Sequence, residues 1–219
     1  MDEIKTQQAT TETGLTTKQA EIAVKSANLD IWTSMIEKYG APKTAEFLAQ
    51  SSFVPENYRG KAADCLIAID FSQRVHIAPL TVMQNLYVVK GKPSWSGQFC
   101  MALIRANPGF ANVRVVYTGT KGTDNRGCYV TALRTSDGSV VDGTEVTISM
   151  AKAEGWISNT KWKNMPEQML AYRAAAFFAR VHCPEALLGI HTVEEVEDVD
   201  ATRATTQARN LTNALRGGL

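Results

Sequence analysis

The stretch Met165-Pro-Glu-Gln-Met-Leu-Ala-Tyr-Arg-Ala-Ala-Ala-Phe-Phe-Ala-Arg-Val181 constrains what this chain can fold into more than any other. Pro166 suits a first helical position, and no breaker follows before about His182, so a helix over 166–182 is expected. Leu170, Ala174, Phe177, Phe178 and Val181 leave little room for a solvated side, which places the helix in a core. Arg173 and Arg180 are seven residues apart, so they project within about 20° of each other, on the stripe that also holds Met169 and Ala176. Unpaired buried charge costs several kcal/mol, so the two cations need anions. Two explanations stand side by side: acidic partners elsewhere in the chain, or phosphates that guanidinium groups bind bidentately.

Around this helix the pattern is segregated. From Thr16 to Leu86 the chain reads as helical, with Ile22, Leu29, Trp32, Met35, Ile36 and Tyr39 at helical intervals and a stop at Gly40 and Pro42. A strongly apolar helix is expected over 61–70 and a short turn from Pro79 to about Leu86. Residues 87–95 read as a hairpin turning at Gly91, followed by a helix capped by Ser96 and ended at Asn107-Pro108-Gly109. Three strands are expected over 110–117, 128–135 and 139–148, then a short helix capped by Ser149 and a loop over 156–164. The predicted class is α+β: a helical N-terminal part, a small antiparallel β-sheet and a long C-terminal core helix. The expected organisation is a flexible segment over 1–15, a single core domain over 16–200, and a polar tail or truncated linker over 201–219.

Charge distribution matters more than its total. The net charge is only +1, yet residues 90–180 hold 12 Lys+Arg against 6 Asp+Glu, while both flanks are net acidic. A basic middle fits a polyanion groove whose flanks meet neighbouring subunits. Lys161 and Lys163 bracket Trp162, a spacing suited to backbone contacts beside a base-stacking platform; an ordinary loop anchored by its tryptophan fits Trp162 equally well. Lys90 and Lys92, either side of Gly91, make a basic fingertip or a merely solubilising one.

Taken together these residues resemble the RecT/Redβ family of phage single-strand annealing proteins. The resemblance rests on Trp162, Pro166, Met169-Leu170, Arg173-Ala174 and Ala179-Arg180, with Gly189-Ile190 and Glu194-Glu195 downstream. Leu66–Ile69, Tyr87, Trp95 and the run from Met150 to Trp156 fit the same order, so that it spans roughly residues 55–200. One departure is that Glu167 and Gln168 stand where family members can carry basic residues after the proline. The resemblance implies an α+β core distantly like that of the eukaryotic Rad-type annealing proteins. It implies ATP-independent binding of single-stranded DNA and its annealing to a complementary strand during homologous recombination. The partners it implies are single-stranded DNA, the annealed duplex intermediate, and further copies of the chain in a ring or helical filament. A phage exonuclease and the host single-strand-binding protein are further expected partners. Expected localisation is the bacterial cytoplasm, with the protein phage or prophage encoded. Arg173 and Arg180 match the family's DNA-contacting positions; Lys161, Lys163, Lys90, Lys92 and Trp162 are added from charge and placement.

No catalytic site is expected. There is no GxxxxGK[ST] phosphate loop, and His76, His182 and His191 have no nucleophile motif beside them. The scattered Cys65, Cys100, Cys128 and Cys183 match neither zinc spacing nor a disulfide framework. The acidic run from Glu194 to Asp200 reads as a solvated face or subunit contact rather than a divalent-ion site. No cofactor is required, and magnesium, though compatible, is not indicated. No apolar run approaches the roughly 20 residues of a membrane span, and residues 1–13 lack the basic start and apolar stretch of a secretory signal. The rival readings are a non-annealing nucleic-acid-binding module, a metal-dependent DNA-processing enzyme, and a purely structural assembly protein.

Overall fold

The computed structural model describes residues 31–217. The expected flexible segment 1–15 and the helical stretch carrying Ile22 and Leu29 lie outside the described residues. The described residues form two compact units that divide between Met83 and Gln84, a division the sequence reading does not draw. The class is mixed α+β.

In the first unit, α1 (residues 31–39) and α2 (Ala41–Ala49) are separated by Gly40, whose φ of 80° only glycine adopts freely. Pro42 falls in the first turn of α2, so it starts a helix rather than stopping one. Next come a 3₁₀ turn (Glu56–Tyr58), α3 (Ala62–Val75) and the start of α4 (Pro79–Asn85). Small residues set the α2–α3 contact: Thr44, Ala45 and Ala49 are buried on one helix, Cys65, Ala68 and Ser72 on the other. Arg59 pins the intervening loop by donating to the carbonyls of Val54 and Ser52, each at 2.9 Å.

The second unit opens with the hairpin β1 (Leu86–Val89) and β2 (Lys92–Trp95). Lys90 and Gly91 both have positive φ (50° and 77°), as a two-residue primed turn requires. Trp95 is fully buried, with its indole N–H donating to Leu187 O at 3.1 Å. Ser96 caps α5 (Gly97–Ala106) by accepting from Phe99 N–H, as its hydroxyl suggested.

A second sheet pairs β3 (Phe110–Thr118) with β4 (Gly127–Arg134), antiparallel, and adds β5 (Val140–Asp142) and β6 (Val146–Thr147) along the far edge of β4. The single third strand expected over 139–148 is therefore two. The chain leaves the ladder around Gly143, where an added Cβ would lie 3.0 Å from the Phe178 ring. Strand pairing ends at Thr147, and Thr147 rather than Ser149 caps α6 (Ile148–Ala153), accepting from Met150 N–H at 3.1 Å. Cys128, Val130 and Ala132 alternate along β4 and are buried on the side where α8 packs.

Residues 156–164, expected as a loop, wind into a 3₁₀ turn (Trp156–Ser158) and α7 (Lys161–Asn164). The anticipated core helix is α8 (Pro166–His182), with Leu170, Ala174, Ala175, Ala176, Phe178 and Ala179 fully buried. Then come α9 (Pro184–Leu187), β7 (His191–Thr192), which lies parallel to β2, and α10 (Val193–Gly217). Residues 201–217, expected as a tail, continue α10. Thr205, Thr206 and Thr212 hydroxyls each donate to the carbonyl four residues back, absorbing the side-chain hydrogen bonding that disfavours threonine in helices.

Candidate nucleic-acid interface

α8 fixes Arg173 and Arg180 on one stripe because the remaining faces are taken up by the sheet, α5 and the α7 turn. The anion opposite is α10. Asp198 is fully buried and receives Arg173 through Oδ2, while its Oδ1 accepts from Asn159 Nδ2 and Trp162 Nε1, both at 3.0 Å. Glu195, also buried, binds Arg180 through both oxygens, the Nη2–Oε2 contact measuring 2.6 Å, and lies 3.5 Å from Arg173 Nη1. Its Oε2 also accepts from the N–H of Thr192 at 2.8 Å. The Arg173 guanidinium stacks over the Trp156 ring at 4.0 Å, and Trp156 meets Trp162 at 5.6 Å between centroids.

Burial raises the Glu195 carboxyl, but the hydrogen bonds and charge of Arg180, the Thr192 N–H and the Arg173 charge outweigh it, and the group sits below its ordinary value. Neighbouring Glu194 is held above its ordinary value by burial, its Oε2 lying buried beside the start of α5 with no hydrogen-bond partner among the described residues.

The first of the two explanations for the arginine stripe thus describes Arg173: it is 7% exposed and enclosed by Asp198, Glu195 and Trp156, so no phosphate reaches it in this conformation. Trp162 is corrected likewise. It is 3% exposed and hydrogen-bonded to Asp198, so its ring is no platform for a base. The acidic run from Glu194 to Asp200 is solvated only in part: Glu195 and Asp198 are buried and paired, whereas Glu197 and Asp200 stay partly exposed.

The lysines divide. Lys161 Nζ lies 2.8 Å from Glu197, and that hydrogen bond raises the lysine above its ordinary value. Lys90, at the hairpin tip, lies 2.8 Å from Asp200. Lys92 and Lys163 are exposed and have no ion-pair partner among the described residues. Four of the six candidate cations, from three separate stretches of chain, therefore meet α10 between Glu195 and Asp200, about one and a half turns.

Sequence reasoning missed the acids, although Glu195 and Asp198 fall at the i,i+3 spacing that puts them on one face of a helix. It missed Trp156, whose ring packs under Arg173, and Arg126, whose guanidinium binds Glu167 Oε1 at 2.8 Å and the carbonyl of Thr118 at 3.2 Å. The acid after Pro166 thus anchors the β3–β4 turn to the start of α8. Among the described residues no group of three or more His, Cys, Asp or Glu is arranged to hold a metal ion, and no helix is long and apolar enough to cross a membrane. No protein-family model, curated protein or solved structure matches the chain.

Proposed function

We propose that this chain binds single-stranded DNA through its phosphates and anneals it to a complementary strand without nucleotide hydrolysis, as the resemblance to RecT/Redβ proteins implies. The observation that supports this best is the exposure of Lys92 and Lys163, which have no ion-pair partner among the described residues, beside Lys90 and Lys161, whose ion pairs with Asp200 and Glu197 are open to water. Annealing needs no acid, base or nucleophile. It needs backbone charge neutralised so that two strands approach, and bases left free to test pairing. Lysines on a hairpin tip and a short helix supply charge without base-edge readout, so binding is sequence-tolerant and weakens with salt. Arg173 serves here as the internal counter-charge that holds α10 against α8, and the lysines are the strand contacts. Further copies of the chain would extend such a track along the strand.

The test is pairing of two complementary labelled oligonucleotides without ATP, by the wild type and by Lys92→Ala/Lys163→Ala. Both positions are exposed, so the variant keeps the fold. Accelerated pairing by the wild type, reduced in the variant, supports the reading; no acceleration by folded wild type removes it. Binding without acceleration would leave a non-annealing nucleic-acid-binding module.

A further inference from the structure

We infer that α10 carries a built-in competitor for the polyanion: Glu197 and Asp200 occupy Lys161 and Lys90 in the free protein and give them up to backbone phosphates. The inference rests on the proposed DNA reading and adds the residues that set its affinity.

The argument is one of exchange. Glu197 and Asp200 are three residues apart on α10, hence neighbours on its surface, and they hold cations from the α7 turn and the hairpin tip. The side chains of Lys161 and Glu197 are 41% and 36% exposed, those of Lys90 and Asp200 68% and 24%. Ion pairs open to water contribute little to stability, so the lysines are separable from their carboxylates without disturbing the fold. A phosphate oxygen makes the same charge-assisted hydrogen bond as a carboxylate oxygen. A strand lying against the hairpin tip and α7 therefore replaces Glu197 at Lys161 and Asp200 at Lys90, and meets the two displaced acids as like charges. On the inward side of the same stretch, Asp198 and Glu195 are buried and hydrogen-bonded on several sides, so α10 stays in place during the exchange. The helix is then both a structural brace and a brake on strand binding, which favours release of the strand once its complement has paired.

The experiment is a cycle of fluorescence-anisotropy titrations with a labelled oligothymidylate at several salt concentrations. It compares wild type, Glu197→Gln/Asp200→Asn, Lys90→Ala/Lys161→Ala, and the four-fold variant. Neutralising the acids is expected to tighten binding about three- to tenfold at low salt, the difference shrinking as salt rises. In the lysine-free background the same neutralisation is expected to give less than about a twofold change. Wild type that binds DNA but gains nothing from losing the acids overturns the competitor and leaves the DNA reading standing. An equal gain with and without the lysines also overturns it, since that is the general effect of two fewer negative charges. If neither the wild type nor the acid-neutralised variant binds, the DNA reading and the competitor fall together. Binding only by the neutralised variant supports both.

Discussion

Asp198 and Asp200 sit two residues apart on α10, each bound to one cation, yet their surroundings differ in almost every respect. Asp198 is shut off from water and takes donors from Arg173, Trp162 and Asn159. Asp200 is partly open and holds Lys90 at the tip of a hairpin. Opposite charges at contact distance look alike in a list of ion pairs, but desolvation decides what each one does. The inner pair has no water to fall back on, so either partner alone is a buried charge. The outer pair has water and salt as ready substitutes, so it is exchangeable.

Breaking the inner pair gives the largest expected effect. Asp198→Ala leaves Arg173 with only the more distant carboxylate of Glu195, at 3.5 Å, and leaves the N–H groups of Trp162 and Asn159 without their acceptor, so a loss of about 3 kcal/mol in unfolding free energy is expected from denaturant titration. Replacing Arg173 and Asp198 together by methionine is expected to cost less than the sum of the single changes, because the unpaired charge disappears with its partner. A loss under about 1 kcal/mol in Asp198→Ala would place the pair with the outer ones. It also follows that Arg173→Ala is a poor probe of DNA binding, since reduced affinity there would report a weakened core.

Acid titration sharpens the contrast at an intermediate scale. Glu195 has its folded-state value depressed, so its contribution is fully present above its ordinary value of about 4.5 and is lost as pH falls through the lower folded value. Glu194 runs the other way: its folded-state value is raised, so its ionised form costs stability above about 4.5, and the cost is relieved as pH falls through the raised value. Thermal unfolding between pH 3 and 8 should therefore show Glu194→Gln more stable than wild type near neutrality, the two curves converging on acidification. Glu195→Gln should be less stable near neutrality and lose less as the pH drops. Parallel curves for all three proteins would show that neither carboxyl titrates differently in the folded state.

What was legible in the sequence follows the same divide between local and long-range chemistry. The α8 helix, the hairpin turn at Lys90-Gly91 and the Ser96 cap are decided by residues within a few positions of one another, and all three are present. The break in the third strand was not readable: it falls at Gly143, where the backbone lies close to the Phe178 ring, 35 positions away in sequence. The stripe of Arg173 and Arg180 was read correctly as needing anions, but Asp198 is 25 residues from Arg173, and nothing local says whether the anion comes from the chain or from a ligand. Trp162 offered the same ambiguity. A tryptophan between two lysines fits an exposed platform and an anchored loop alike, until the position of Asp198 is known. Residues 201–217 look like a polar tail because threonine, arginine and asparagine dominate them, yet Ala201, Ala204, Ala208 and Leu211 recur at steps of three and four, a helical signal that continues the run starting at Val193.

The smallest expected effect is on the outer pair. Asp200→Asn, Lys90→Ala and their combination should each change unfolding free energy by less than about 1 kcal/mol, with a coupling between the two positions of no more than a few tenths. The reasoning is that Lys90 keeps most of its hydration in the folded protein, so losing the carboxylate returns it to a state it already nearly occupies. The hairpin does not depend on the contact either, because its turn is set by the backbone at Lys90-Gly91 and its base by buried Trp95. A coupling above about 1.5 kcal/mol would mean that the hairpin tip is clamped to α10 as firmly as Arg173 is to Asp198. A lysine held that tightly would not be free to exchange its carboxylate for a phosphate, so this thermodynamic cycle constrains strand binding before any DNA is added.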